Sequence, residues 1–267
     1  MKKYLSLLRI RFLTGLQYRT AAAAGAATQL AWGMMELLLF RAFYRANASA
    51  FPMTFQQLAA YIWLQQAFMP LVMNWLWDME LFESIQTGGV AYELTRPVNL
   101  YAMWYVKLLA LRLSKAALRC LPVLAVALLL PPPYRLMLPA DMGSFVLFAF
   151  TLVLSTLTVV AFGMPIYISA FYMVSPLGLR IVVATFADFF CGALIPLPFF
   201  PDEFRAVLEL LPFGAMQNLP LLIYSGSLTG MEALRGVCVQ LGWLAALVAL
   251  GAWWMRRAVR KTVVQGG

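Results

Sequence analysis

The chain has 267 residues, 63% of them hydrophobic and only 12% charged, with a mean hydropathy of +0.80 and a net charge of +9. Soluble domains carry about 25% charged residues, so the composition excludes an ordinary soluble domain and predicts an all-α polytopic membrane protein. The chain has no histidine, which removes Ser-His triads and His metal sites, and its basic residues sit at the ends of apolar runs, where they match lipid headgroups and not nucleic acid.

The length accommodates about six spans of roughly 20 residues. Cys120, Cys191 and Cys238 lie in apolar runs and read as small core residues. Residues 1–20 carry Lys2, Lys3, Arg9, Arg11 and Arg19 interleaved with Leu5, Leu8, Phe12 and Leu16 at helical spacing. This pattern predicts a basic amphipathic helix lying flat in the membrane interface. It lacks a short apolar core with a small-residue cleavage site, so no cleaved signal peptide is expected.

Span 1 is predicted over about 21–44, with Glu36 deep inside it. Span 2 runs over about 56–77 and contains Gln65, Gln66 and Asn74. Residues 79–100 then form the longest stretch too polar for lipid and too structured for a simple turn. Leu81, Phe82 and Ile85 share one face of a short helix, and Gly88-Gly89 can close it in the left-handed conformation. Arg96-Pro97 imposes an extended link, and Asn99 is placed to cap the next helix.

Span 3 begins with Lys107, Arg112, Lys115 and Arg119 among apolar residues. Its first turns are expected to project from the membrane with their long stems snorkelling, and Pro131-Pro132-Pro133 is a hard stop. Span 4 covers about 143–168. Span 5 covers about 180–197 and contains Asp188. In 199–232, Pro201, Pro212 and Pro220 separate two apolar pieces, 203–211 and 214–224, each too short to cross a bilayer. They predict re-entrant or interfacial helices. Span 6 covers about 234–255, followed by the tail 256–267. Fifteen Lys and Arg fall on the side of the two termini and the 79–100 segment, against five on the other. That bias places both termini in the cytoplasm.

The segment Ile85-Gln86-Thr87-Gly88-Gly89, then Tyr92-Glu93-Leu94 and Arg96-Pro97-Val98-Asn99-Leu100-Tyr101, resembles the link between spans 2 and 3 in permease subunits of ABC-2 family transporters. The matching element is G-x-x-x-x-L-x-R-P from Gly89 to Pro97. The resemblance covers essentially the whole chain as a single transmembrane domain, 1–267. It implies that residues 1–20 are an elbow helix and 79–100 a cytoplasmic coupling segment that inserts into a partner ATPase. Helices in 199–232 would cap the external side. Glu80, Phe82, Glu83, Ile85, Gly88, Gly89, Glu93, Arg96 and Pro97 become candidates for contacting or shaping that ATPase interface. It also implies a second permease chain, identical or related, and a location in the bacterial cytoplasmic membrane. The expected function is export of an amphipathic or drug-like compound, lipid or peptide. The chain has no phosphate loop, so ATP and Mg are expected on a separate ATPase, with no cofactor and no catalysis on this chain.

Glu36 and Asp188 are the acids placed well inside apolar spans, where an ionised carboxylate pairs, faces a cavity or serves a pathway. They are candidate pathway residues. Two alternatives stand beside it: a proton-coupled secondary transporter with Glu36 and Asp188 as a relay, and a membrane anchor for a soluble partner, which would share the 79–100 segment.

Overall fold

The structure is a computed structural model that describes residues 2–261. Among these residues it is helical, with no strand. Helix α1 spans Lys2–Gly15, α2 Arg19–Asn47 and α3 Phe55–Val72. The short α4 (Met79–Gln86) and α5 (Val90–Leu94) lead into α6 (Leu100–Leu129) and α7 (Met142–Ser169). Helix α8 (Leu177–Phe190) is followed by α9 (Asp202–Leu210), α10 (Pro212–Met216), α11 (Asn218–Tyr224) and α12 (Gly230–Lys261). Residues 262–267 of the predicted tail lie outside the described residues.

Each predicted span falls on one long helix, α2, α3, α6, α7, α8 or α12. Two of these, α7 and residues Gly230–Arg260 of α12, are long and apolar enough to cross a membrane by length and composition. In α2 the buried positions Ala22, Ala26, Gln29, Gly33, Leu37 and Phe40 repeat at three and four residues. That spacing is one helical face, and its small residues let α2 approach α3 and α6 closely. Helix α3 is buried almost all round. Its start is a capping box in which Thr54 and Gln57 satisfy each other's backbone donors.

Two apolar cores stack along the bundle. One is built around α3 and α11, with Tyr61, Trp63, Phe148 and Tyr224. The other joins α4 to α6, α7 and α12 through Phe82, Trp104, Met164, Tyr167 and Met255.

Three expectations about element bounds change, and α1 takes a definite place. Helix α1 forms, but it runs lengthwise beside the first half of α6. Lys3 meets Pro97, Tyr4 meets Asn99, and Gly15 abuts Ser114. Helix α3 ends at Val72, well before the predicted end of span 2, because Pro70 sits in its last turn and Met73 turns extended. Helix α8 stops at Phe190, seven residues before the predicted end of span 5, and Gly192 turns the chain with φ of 87°. The 199–232 stretch holds three short helices where two were expected. The break between α10 and α11 lies at Gln217, which neither Pro nor Gly marks.

Candidate functional site

The α4–α5 segment forms a compact plate at one end of the bundle. Asp78 caps α4 by accepting from the Glu80 N–H at 3.1 Å, and its own N–H donates to the Tyr167 hydroxyl at 2.7 Å. Burial pushes the Asp78 carboxyl above its ordinary range, and the neighbouring Glu80 charge adds to this. Phe82 is buried and stacks on Tyr167 with ring centroids 4.4 Å apart. The Arg180 guanidinium lies 5.4 Å from the Phe82 ring centroid.

Gly88 closes α4 at φ of 77°. No atom lies within 4 Å of a Cβ built there, so backbone strain alone opposes a side chain. Gly88→Val is expected to destabilise by about 1–2 kcal/mol. Gly88→Asn should be tolerated far better, because Asn visits the left-handed region readily. Thermal unfolding of the two variants side by side checks this. Equal losses would show that the turn does not depend on left-handed backbone.

Beyond the turn, Glu93 accepts from Trp104 Nε1 at 2.6 Å and pairs with Lys107. The Pro97 carbonyl accepts from Lys3 Nζ at 2.6 Å. The Asn99 N–H donates to the Tyr4 hydroxyl at 3.0 Å, and the Asn99 side chain caps α6 through the Ala102 N–H at 2.9 Å. Arg11 on α1 pairs with Glu80 at 2.9 Å. The plate is thus tied to α1, α6, α7 and α8 through its inner face.

The nine residues proposed from sequence divide by direction. Glu80, Glu83, Gly88, Arg96 and Pro97 are exposed. Phe82 is buried, Ile85 and Gly89 are half-buried, and Glu93 is engaged by α6. The second group shapes the plate; in the first, Glu83, Gly88 and Arg96 form its outer surface, while Glu80 and the Pro97 carbonyl also meet α1. Sequence reading missed Met79, Gln86 and Tyr92, which are also outward, Tyr92 being 79% exposed. An aromatic three residues beyond a Gly-Gly turn was the available signal.

Above the plate lies a second cluster. Arg112 is buried, not snorkelling. Its Nη1 donates to the Met73 carbonyl at 2.8 Å and to those of Pro70 and Leu71 at 3.4 Å. The guanidinium therefore sits where α3 leaves carbonyls free and its dipole is negative. Asp188 accepts from the Asn74 side chain at 2.8 Å and from the Asn74 N–H at 3.2 Å. Where α8 breaks, Tyr61 donates to the Gly192 carbonyl and to the Asn218 side chain, and Gln65 donates to the Ala193 carbonyl at 2.7 Å. Irregular backbone enclosed in a bundle needs such partners.

Glu36 and Asp188 are not brought together as a pair. Glu36 lies beside Gln66 of α3, and its Oε1 is buried without a hydrogen-bond partner.

The apolar bundle, its two helices of membrane-crossing length and the plate at one end define a helical membrane protein. A family model described as ABC-2 family transporter protein matches residues 30–266. The chain belongs to that family: it is the permease, the transmembrane transport subunit, of an ABC transporter. Permeases of this family work with ATPase subunits. No curated protein matches the chain.

Proposed function

We propose that this chain and a second permease chain, identical or related, form the pathway of an ATP-driven exporter in the bacterial cytoplasmic membrane. In this reading α2, α3, α6, α7, α8 and α12 cross the membrane, with both termini and the α4–α5 plate in the cytoplasm. Residues 1–20 are the elbow and 199–232 lie outside. Helix α8, at 14 residues, covers about 21 Å, so the chain through 191–198 completes its crossing. ATP and Mg belong to a separate ATPase chain, and the substrate is an amphipathic or drug-like compound, lipid or peptide.

The observation that supports this reading is the two-sided plate. Its inner face is fastened to the bundle by Phe82–Tyr167 and Glu93–Lys107, while Glu83, Gly88, Tyr92 and Arg96 face outward. A lever between nucleotide state and membrane helices needs both properties: rigid attachment within and a free surface without.

The test is the intact mass of the complex purified in mild detergent, with every co-purifying chain identified. Two permease chains with a stoichiometric ATPase are expected. A chain that never carries an ATPase, in detergent or in nanodiscs, would sink the proposal. Glu83→Ala with Arg96→Ala should weaken ATPase binding about tenfold and lower transport, with membrane insertion intact. Unchanged ATPase affinity would remove the plate from the interface.

A further inference from the structure

Membrane-buried cations require compensation, because an uncompensated charge in a low-dielectric setting is costly. Nearly every basic side chain that is not fully exposed has its partner. Arg11 has Glu80, Lys107 has Glu93, Arg205 has Asp202, and Arg112 has three carbonyls. Arg41 lies over Tyr134 and Arg180 over Phe82. Among the described residues, Lys115 and Arg119 are the two partly buried cations with no ion pair, hydrogen bond or aromatic ring as partner. Arg119 Nε is moreover buried with no partner at all.

These two residues are four apart on α6 and so share one face. Arg119 on that face meets α2, and the neighbouring Ser114 meets α1. Gly15 abuts Ser114, and a Cβ at Gly25 would fall on the Arg119 guanidinium. Side chains on α6 lean toward its N-terminus, the half of the helix along which α1 lies. Asp78, the carboxylate whose field reaches Lys115, is already committed to the start of α4. From Gly25 the same face of α2 continues two and four turns on with Trp32 and Leu39, both exposed apolar residues.

We infer that Lys115 and Arg119 hold the phosphate of an anionic phospholipid, seated where α6 meets the corner between α1 and α2. The headgroup supplies the negative charge that the protein lacks there. The acyl chains lie along Trp32 and Leu39. Basic pockets between membrane helices bind anionic headgroups in this way. The inference stands on the unpaired charges and on the chain's membrane location, and not on the export reading.

The test uses the full chain purified in mild detergent and native mass spectrometry. Phosphatidylglycerol and phosphatidylcholine with matched acyl chains are added at equal concentration. The wild type is expected to retain phosphatidylglycerol preferentially. At about fivefold per basic side chain near a membrane surface, Lys115→Gln with Arg119→Gln should reduce that preference roughly 25-fold. Arg9→Gln, which removes an exposed charge elsewhere on α1, should leave it unchanged. Equal retention of both lipids by the wild type overturns the proposal without reference to any variant. So does a preference that survives the double substitution. Displacement of phosphatidylglycerol by millimolar inorganic phosphate overturns the lipid assignment in favour of a free anion. Occupation of the pair by a carboxylate of the ATPase or of a second permease copy would appear as loss of lipid on complex formation, and also overturns it.

Discussion

Replacing Arg112 with methionine is expected to destabilise the protein by about 3 kcal/mol and to disconnect transport from ATP hydrolysis. Both effects follow from where the guanidinium sits. It closes the end of α3 by serving the carbonyls of Pro70, Leu71 and Met73. Methionine fills similar volume but donates nothing, so three buried carbonyls lose their donor and Asp188 loses the nearby positive charge. Leaving a buried acceptor without its donor costs about 1–3 kcal/mol, and the two acceptors at 3.4 Å add less than the one at 2.8 Å. Residues 73–78 begin here, and they carry α4. Asn74 ties the same link to Asp188 on α8. A frayed end of α3 would let α4 move without moving α3 or α8. Thermal unfolding in detergent measures the first effect. The number of substrate molecules moved per ATP, in proteoliposomes holding the ATPase, measures the second. A variant with wild-type midpoint and wild-type ratio would show that the end of α3 is held by something else.

Phe82→Ala is expected to be comparably severe and confined to the plate. The ring is buried between Tyr167 and Arg180 and tilts against Trp77 at 6.1 Å. Truncating a buried Phe to Ala costs about 3–5 kcal/mol, part of it from the cavity left behind. The loss falls on an eight-residue helix that has few other anchors. Helix α4 should therefore open locally while the bundle stays folded. Limited proteolysis reads this as accelerated cleavage around Gln86–Gly89, with α7 and α12 protected. Phe82→Leu keeps most of the apolar volume and should lose much less. If Phe82→Ala cleaves no faster than wild type, the stacking on Tyr167 does not hold the plate.

What was legible in the sequence was local chemistry. The Gly88 turn, the Asn99 cap and the stop at Pro131 each depend on a residue's own backbone preferences, and each appears where the chain predicts it. The positions of the long helices were legible too, because apolar runs announce themselves. The partners were not. Arg112, Lys115 and Arg119 look alike in sequence, as basic residues on an apolar helix. They separate in three dimensions, since Arg112 faces the end of α3, Arg119 lies against Gly25 of α2, and Lys115 has no partner. Asp188 and Glu36 likewise read as a pair of buried acids, yet one is held by Asn74 and the other lies beside Gln66. Nothing near Glu93 in sequence foretells its partners Trp104 and Lys107, about one and two turns into α6, so its inward role was not legible. Helix α8 ends early because the apolar run through 197 hides a left-handed turn at Gly192 whose carbonyl Tyr61 serves from across the bundle.

All three acceptors of Arg112 are main-chain carbonyls. The two sides of this contact therefore carry very different genetic burdens. Positions 71 and 73 can change side chain without altering what the guanidinium sees; Leu71 answers to the packing of its core and not to Arg112. Position 112 has no such latitude. A loss there also cannot be repaired by a complementary change in its partners, because no side chain substitution restores a donor to a backbone oxygen from the carbonyl's own residue. In a selection for restored transport, suppressors of an Arg112 defect should arise at positions whose side chains can reach into the space vacated, and not at the residues it once touched.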